Sequence, residues 1–185
     1  MPSPTDLLLV PMGLPEAGLL LPWLGPRLER VFRASCRTAE TELDMGQSYS
    51  EARSQYDTRR LLSALAALSD SGLVLGVTGQ DLFVPIFTFV IGEAQLGGRA
   101  ALVSTFRLAE GPNGLSVRPE VLRARLLKEA VHELGHCQGL LHCLDPRCVM
   151  HASSTADDVD LKSDELCDRC LLALRATHAP AARRA

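Results

Sequence analysis

No stretch of the 185-residue chain approaches the roughly 20 apolar residues that a membrane helix requires. No export signal is expected either. Met1-Pro2-Ser3-Pro4-Thr5-Asp6 places an acid where a signal peptide needs positive charge, and the apolar run Leu7 to Val10 is too short for an export core. Basic residues are not in excess. With 19 Lys+Arg against 22 Asp+Glu the net charge is −3, which provides no positive field for nucleic acid or an anionic membrane. No internal repeat is visible. These absences lead us to expect a cytoplasmic, monomeric protein with neither a nucleic-acid nor a membrane partner.

At 46% hydrophobic residues the chain can bury a proper core, and its length suits one domain better than two. The chemistry is concentrated in one segment. His132-Glu133-Leu134-Gly135-His136-Cys137-Gln138-Gly139-Leu140-Leu141-His142 is a complete H-E-x-x-H-x-x-G-x-x-H string. Residues four apart share a helix face, so His132 and His136 can each present a ring nitrogen to one ion about 2.0 to 2.1 Å away. Glu133 is not needed as a ligand and stands where a general base belongs. Gly139 is expected to end the helix in a left-handed turn that brings round His142 as third ligand. Three neutral imidazoles leave a fourth tetrahedral position open, the pattern of a catalytic rather than a structural zinc. An isolated H-E-x-x-H arises by chance in helices; the added glycine and histidine at fixed offsets argue against chance here.

Five cysteines lie within or behind this string. Setting aside Cys137, inside the helix, the rest read as Cys143-x4-Cys148 and Cys167-x-x-Cys170. Two short-spaced pairs separated by such a loop suit a closed four-thiolate zinc site with Zn–S bonds near ~2.3 Å. Two disulfides or a redox pair are the alternatives, and disulfides would need an oxidising compartment. A second, structural zinc would tie the segment after the catalytic helix to the C-terminal helix.

Met150 stands between the cysteine pairs, in Cys148-Val149-Met150. The third histidine followed directly by Cys143, then C-x4-C-x-M, a spacer and C-x-x-C, resembles the signature of the archaemetzincins, metzincin-clan zinc metallopeptidases. Upstream, Asp81 to Pro85, Phe89 to Ala94, Val103-Ser104 and Arg107-Leu108 are similar to that family's stretches before the active-site helix. The resemblance runs from about residue 73 to 175. It implies the three histidines as catalytic zinc ligands, Glu133 as base, Met150 as the Met-turn residue beneath the metal, and Cys143, Cys148, Cys167 and Cys170 as ligands of the second zinc. Taken alone, a methionine is more often core filler. The interval from Met150 to Cys167 is a residue shorter than the family's usual spacer, a change that a surface loop absorbs.

The remaining pattern alternates strands and helices. Strands are expected at Asp6 to Val10, Ala34 to Ala39 and Leu73 to Thr78. Phe87 to Leu96 and Arg99 to Phe106 should pair as a hairpin through Gly97-Gly98. Pro15 to Arg33 carries a helical stripe with a break expected near Pro22, Gly25 and Pro26. Thr41 to Tyr56 reads as loop. Asp57 should cap a helix through Leu68, Pro119 should start the catalytic helix, and Ser163 should cap a last helix bearing Cys167 and Cys170. Glu93 and Gln95 are candidate cleft-lining residues; Cys36, Cys137, His151 and His178 read as bystanders.

The expected fold is α/β (α+β): a metzincin-like mixed twisted sheet with packed helices. A single catalytic domain spans 1–178, with sheet and helices in 1–139, a zinc-pinned part in 140–178 and a disordered tail in 179–185. The expected function is zinc-dependent hydrolysis of a peptide or protein substrate with two zinc ions per chain. The alternative is a non-enzymatic zinc protein that holds peptides or partners in the same cleft, which would have no need of Glu133.

Overall fold

The computed structural model describes residues 6–111 and 114–177. Its centre is a five-stranded sheet in the order β2 (Ser35–Thr38), β1 (Asp6–Met12), β5 (Leu73–Thr78), β8 (Ala100–Ser104), β7 (Gly92–Ala94). The first four strands are parallel and β7 joins antiparallel to β8, leaving β7 as an edge. Both faces of β1, β5 and β8 are covered, so their sequences read as continuous apolar runs whose alternate residues enter different cores, while β2 is largely exposed at the other edge. Leu7 and Leu9 of β1 face α1 (Ala17–Phe32) and α4 (Pro119–Cys137), while Leu8, Val10 and Met12 meet α2 (Thr58–Ala66) on the opposite face. Each leucine fully buried in these layers contributes about 1.5–3 kcal/mol relative to exposure.

Several elements depart from the sequence expectation. α1 is one continuous helix although Pro22 and Pro26 lie inside it. Both prolines are exposed, four residues apart, so the carbonyls they leave without a partner face water, while Leu20, Leu24, Leu28 and Phe32 keep the buried face intact. The supposed loop at 41–56 contains the 3-10 turn Gly46–Ser48 and strands β3 (Tyr49–Ser50) and β4 (Gln55–Asp57), which form a small sheet with β6 (Leu82–Phe83). These strands are too short to show alternation. The expected 87–96 strand is reduced to β7, because the carbonyls of Phe87 and Thr88 are taken by the Arg53 guanidinium (2.7 and 3.3 Å) instead of a neighbouring strand. The other partner of that hairpin stops at Ser104, whose hydroxyl caps the short α3 (Thr105–Leu108).

Asp57 caps α2 as expected, accepting from Arg59 N, although the helix ends at Ala66. Pro119 opens α4 at its first turn. The C-terminal part holds two helices instead of one. Thr155 caps α5 (Ala156–Leu161) in a reciprocal box with Asp158, and Cys167 directly precedes α6 (Asp168–Thr177). Ser163 binds the backbone of Glu165 and caps neither. The tail expected at 179–185 and His178 lie outside the described residues.

Candidate active site

α4 carries His132, Glu133 and His136 toward a cleft of about 880 Å³ bounded on its other side by β7 and the 84–91 segment. The helix ends at Cys137, and Gly139 follows at φ 83°, the left-handed conformation that allows the chain to double back and deliver His142. The ring centroid of His142 lies 5.3 Å from that of His132 and 4.9 Å from that of His136. One ligand nitrogen from each of the three falls within 4.8 Å of the others.

Backbone carbonyls decide which nitrogens are free. Nδ1 of His132 meets Val149 O at 2.8 Å and Nδ1 of His136 meets Leu140 O at 2.7 Å. A carbonyl only accepts, so both Nδ1 atoms carry the proton and donate it. Both Nε2 atoms therefore present lone pairs, and they face each other at 3.1 Å. Two acceptors that close repel unless a cation stands between them. Ligands about 2.05 Å from a tetrahedral zinc would be roughly 3.3 Å apart, close to what is seen. Burial adds to this fit: it holds His132 far below its usual range, at about 3, with the Lys162 charge contributing, and lowers His136 and His142 as well. Neutral imidazoles are the metal-binding form.

Glu133 is buried and lines the same cleft, packed against the backbone of β7. A Cβ at Gly92 would lie 2.6 Å from its Oε1, so only glycine leaves room for this carboxylate. Burial, with the charge of Glu129 one turn earlier, pushes its carboxyl well above the ordinary range, a shift that would suit a proton acceptor near neutral pH. Met150 is fully buried beneath the helix; a Cβ at Gly135 would strike its Sδ at 2.5 Å. The loop of Met150 is stitched by Cys143 N to Met150 O at 2.8 Å and His151 N to Cys148 O at 2.9 Å.

The four cysteine sulfurs of Cys143, Cys148, Cys167 and Cys170 also lie within 4.8 Å of one another. Sγ of Cys143 and Cys167 are 3.7 Å apart, far longer than a disulfide and near the roughly 3.75 Å separation of two thiolates on a tetrahedral zinc. All six cysteines are free thiols. Burial raises Cys143, but hydrogen bonds from Asp145 N and the Arg169 guanidinium (3.2 Å to Sγ) overcome it and bring the thiol down to about 7. Burial raises Cys148 and Cys170 instead. A donor set of this kind fits a divalent soft metal.

Of the other candidates, Glu93 lines the cleft and accepts from the Thr58 hydroxyl. Gln95 turns into the hairpin, its Oε1 3.4 Å from Ala100 N. Cys137 is buried, its thiol raised to about 12 by burial and then by the Glu133 charge, and Cys36 is half-buried. His151 sits in the Met150 loop with Nδ1 2.8 Å from Cys143 O. Sequence reasoning missed Arg53 and Gln55, which hold the 84–91 wall through the Phe87 and Thr88 carbonyls, and it missed the buried pair Glu129–Lys162 beneath His132. The position of Glu129 one turn before Glu133 was a usable signal; Lys162, thirty residues past His132, offered none.

A metal-binding imidazole trio beside a buried carboxylate, in a cleft with a free sheet edge, defines a zinc metallopeptidase. The comparisons agree. Residues 39–176 match the model of peptidase family M54. The archaemetzincin of Methanocaldococcus jannaschii is 43% identical over 128 residues, 69% of this chain and 70% of that protein. The archaemetzincin of Archaeoglobus fulgidus is 36% identical over 152 residues, 82% and 89% of the two chains. The crystal structure of archaemetzincin from Methanopyrus kandleri superposes with a TM-score of 0.84 at 34% identity, covering 96% of this chain and 97% of that one. The chain belongs to peptidase family M54, the family of the archaemetzincins. The expected metzincin-like mixed sheet with packed helices is therefore the fold observed.

Proposed function

We propose that the protein hydrolyses peptide bonds with His132, His136 and His142 holding the catalytic zinc and Glu133 acting as general base. Zinc so bound polarises a carbonyl and lowers the pKa of water from 15.7 toward about 7. Glu133 takes the proton of the attacking water and delivers it to the nitrogen of the leaving amine. The carbonyls of Val149 and Leu140 keep both Nδ1 atoms protonated, so that the helix histidines offer Nε2 alone. Met150 forms the apolar floor. The open edge of β7 can pair with an extended substrate backbone, which gives affinity for peptide without a sequence-specific pocket.

Cys143, Cys148, Cys167 and Cys170 hold a second, structural zinc, making two per chain and pinning residues 140–178 to the rest of one domain spanning 1–178. Six thiols suit a reducing compartment, which supports a cytoplasmic location. The observation that carries the catalytic reading is the pair of Nε2 lone pairs facing each other at 3.1 Å beside a buried carboxylate. A peptide-library digest by the zinc-loaded protein tests it. Cleavage that a chelator stops and added zinc restores is expected. A protein carrying two zinc ions that cleaves nothing would favour the non-enzymatic peptide-holding alternative.

A further inference from the structure

Two buried charges beneath the imidazole cluster take no part in the hydrolysis proposed above. Lys162, immediately after α5, is 2% exposed, and Glu129, on α4, is 3% exposed. Their Nζ and Oε1 lie 2.7 Å apart. Burying such a pair carries a desolvation cost that its attraction often fails to recover, and apolar pairs of similar volume are commonly as stable or more so. Fastening α5 to α4 does not require it either. Arg125 already holds Asp160 through two bonds of 2.9 and 2.6 Å, and Lys128 Nζ donates to Val159 O at 3.0 Å.

The remaining contacts of Lys162 show what it adds. Its ammonium donates to His151 O at 3.2 Å and lies 3.5 Å from Nδ1 of His132. That Nδ1 already gives its proton to Val149 O at 2.8 Å, so the ammonium rests against the ring without bonding it. Glu129 is three residues before His132 on the helix, and Val149 and His151 flank Met150. One compact cation with three donors thus touches both parts that must be in register for His132 to be aimed: the helix bearing the ring, and the turn bearing the carbonyl that orients it.

We propose that Lys162, paired with Glu129, is a positioning residue for the imidazole cluster, locking the 149–151 turn against α4 so that His132 presents Nε2 to the metal. The inference rests on the reading that these imidazoles hold zinc. Residues that orient a metal-bound histidine typically change metal affinity 10- to 100-fold when replaced. A pair that served stability alone would leave affinity untouched once stability was restored.

The test compares wild-type protein with Lys162→Met and with the double variant Glu129→Leu/Lys162→Met. Melting of the metal-free proteins reads stability, and chelator competition reads zinc affinity at the imidazole site. Lys162→Met strands the Glu129 carboxylate and should melt lower; the double variant should recover most of that loss. Zinc affinity should stay about 10- to 100-fold down in both. Wild-type affinity in the stable double variant would overturn the inference. Should the double variant not fold, the folded fraction of Lys162→Met at low temperature decides: reduced affinity supports the role and wild-type affinity removes it. Neither readout uses peptide cleavage. Normal affinity in these variants would leave the peptidase reading standing, and a wild-type protein that binds zinc but cleaves nothing would remove that reading alone.

Discussion

The three-imidazole and four-thiolate clusters share a backbone junction, since His142 and Cys143 are consecutive, yet they meet solvent in opposite ways. His132 is buried, His136 half-buried and His142 exposed, so the first cluster opens stepwise into the cleft. Three of the four cysteines are buried, and the cluster closes on itself with sulfur on every side. The elements behind them differ as well. Two of the three imidazoles rest on a 19-residue helix packed against a sheet, and the third follows the turn that ends it. The cysteines come from short turns and the start of α6, where little regular structure holds the chain. A rigid scaffold can leave one coordination position open to substrate. A segment with few backbone ladders gains its order from a filled site, because binding free energy there is folding free energy.

Four variants or conditions probe that contrast, from the largest effect to the smallest. Glu133→Gln should lower turnover by about 10² to 10⁴-fold while both zinc ions remain, because the amide keeps the shape but accepts no proton. Wild-type turnover in this variant would remove Glu133 as base. Cys170→Ala should lower the melting temperature and also weaken catalytic-site zinc affinity by about tenfold or more, since Cys143 fixes the backbone of His142. Affinity measured on the folded fraction decides, and an unchanged value would make the two clusters independent.

Gly92→Ala attacks the sheet side instead. The new Cβ would sit 2.6 Å from Glu133 Oε1 and 2.8 Å from Leu102 O, so the carboxylate must shift. A loss of about 1–3 kcal/mol in stability is expected, with reduced turnover and normal zinc content. Full turnover would show that Glu133 does not need its place against β7. The last test concerns pH in the metal-free protein. His132 is lowered from 6.5 to about 3 in the folded state by burial and then by the Lys162 charge. Between those values the unfolded chain binds the extra proton, so stability is complete above pH 6.5 and declines as pH falls toward 3. Melting temperatures between pH 7 and 4 should fall, and fall less in His132→Asn; identical profiles would sink the assignment.

Much of this could be read from residues alone. The spacing of His132 and His136 is a property of any helix, Asp57 and Pro119 announce helix starts locally, and the apolar runs at Leu7 to Val10 and Leu73 to Thr78 suit strands covered on both faces. Other elements resisted. β3, β4 and β6 are two or three residues long, α1 tolerates prolines because they face water, and the 84–91 wall is shaped by side chains from Arg53 and Gln55 some 34 residues away.

The chain by itself determined which residues are the candidates for the chemistry, because ligand geometry along a helix and across short cysteine spacings depends on neighbours three to six positions apart. Only the tertiary structure decided the protonated nitrogen of His132, the room that Gly92 leaves for Glu133, and the burial of Lys162 against Glu129 and His132. Those depend on contacts 17 to 33 or more residues apart, between segments whose approach is set by how the two cores close on the sheet and which no local period records.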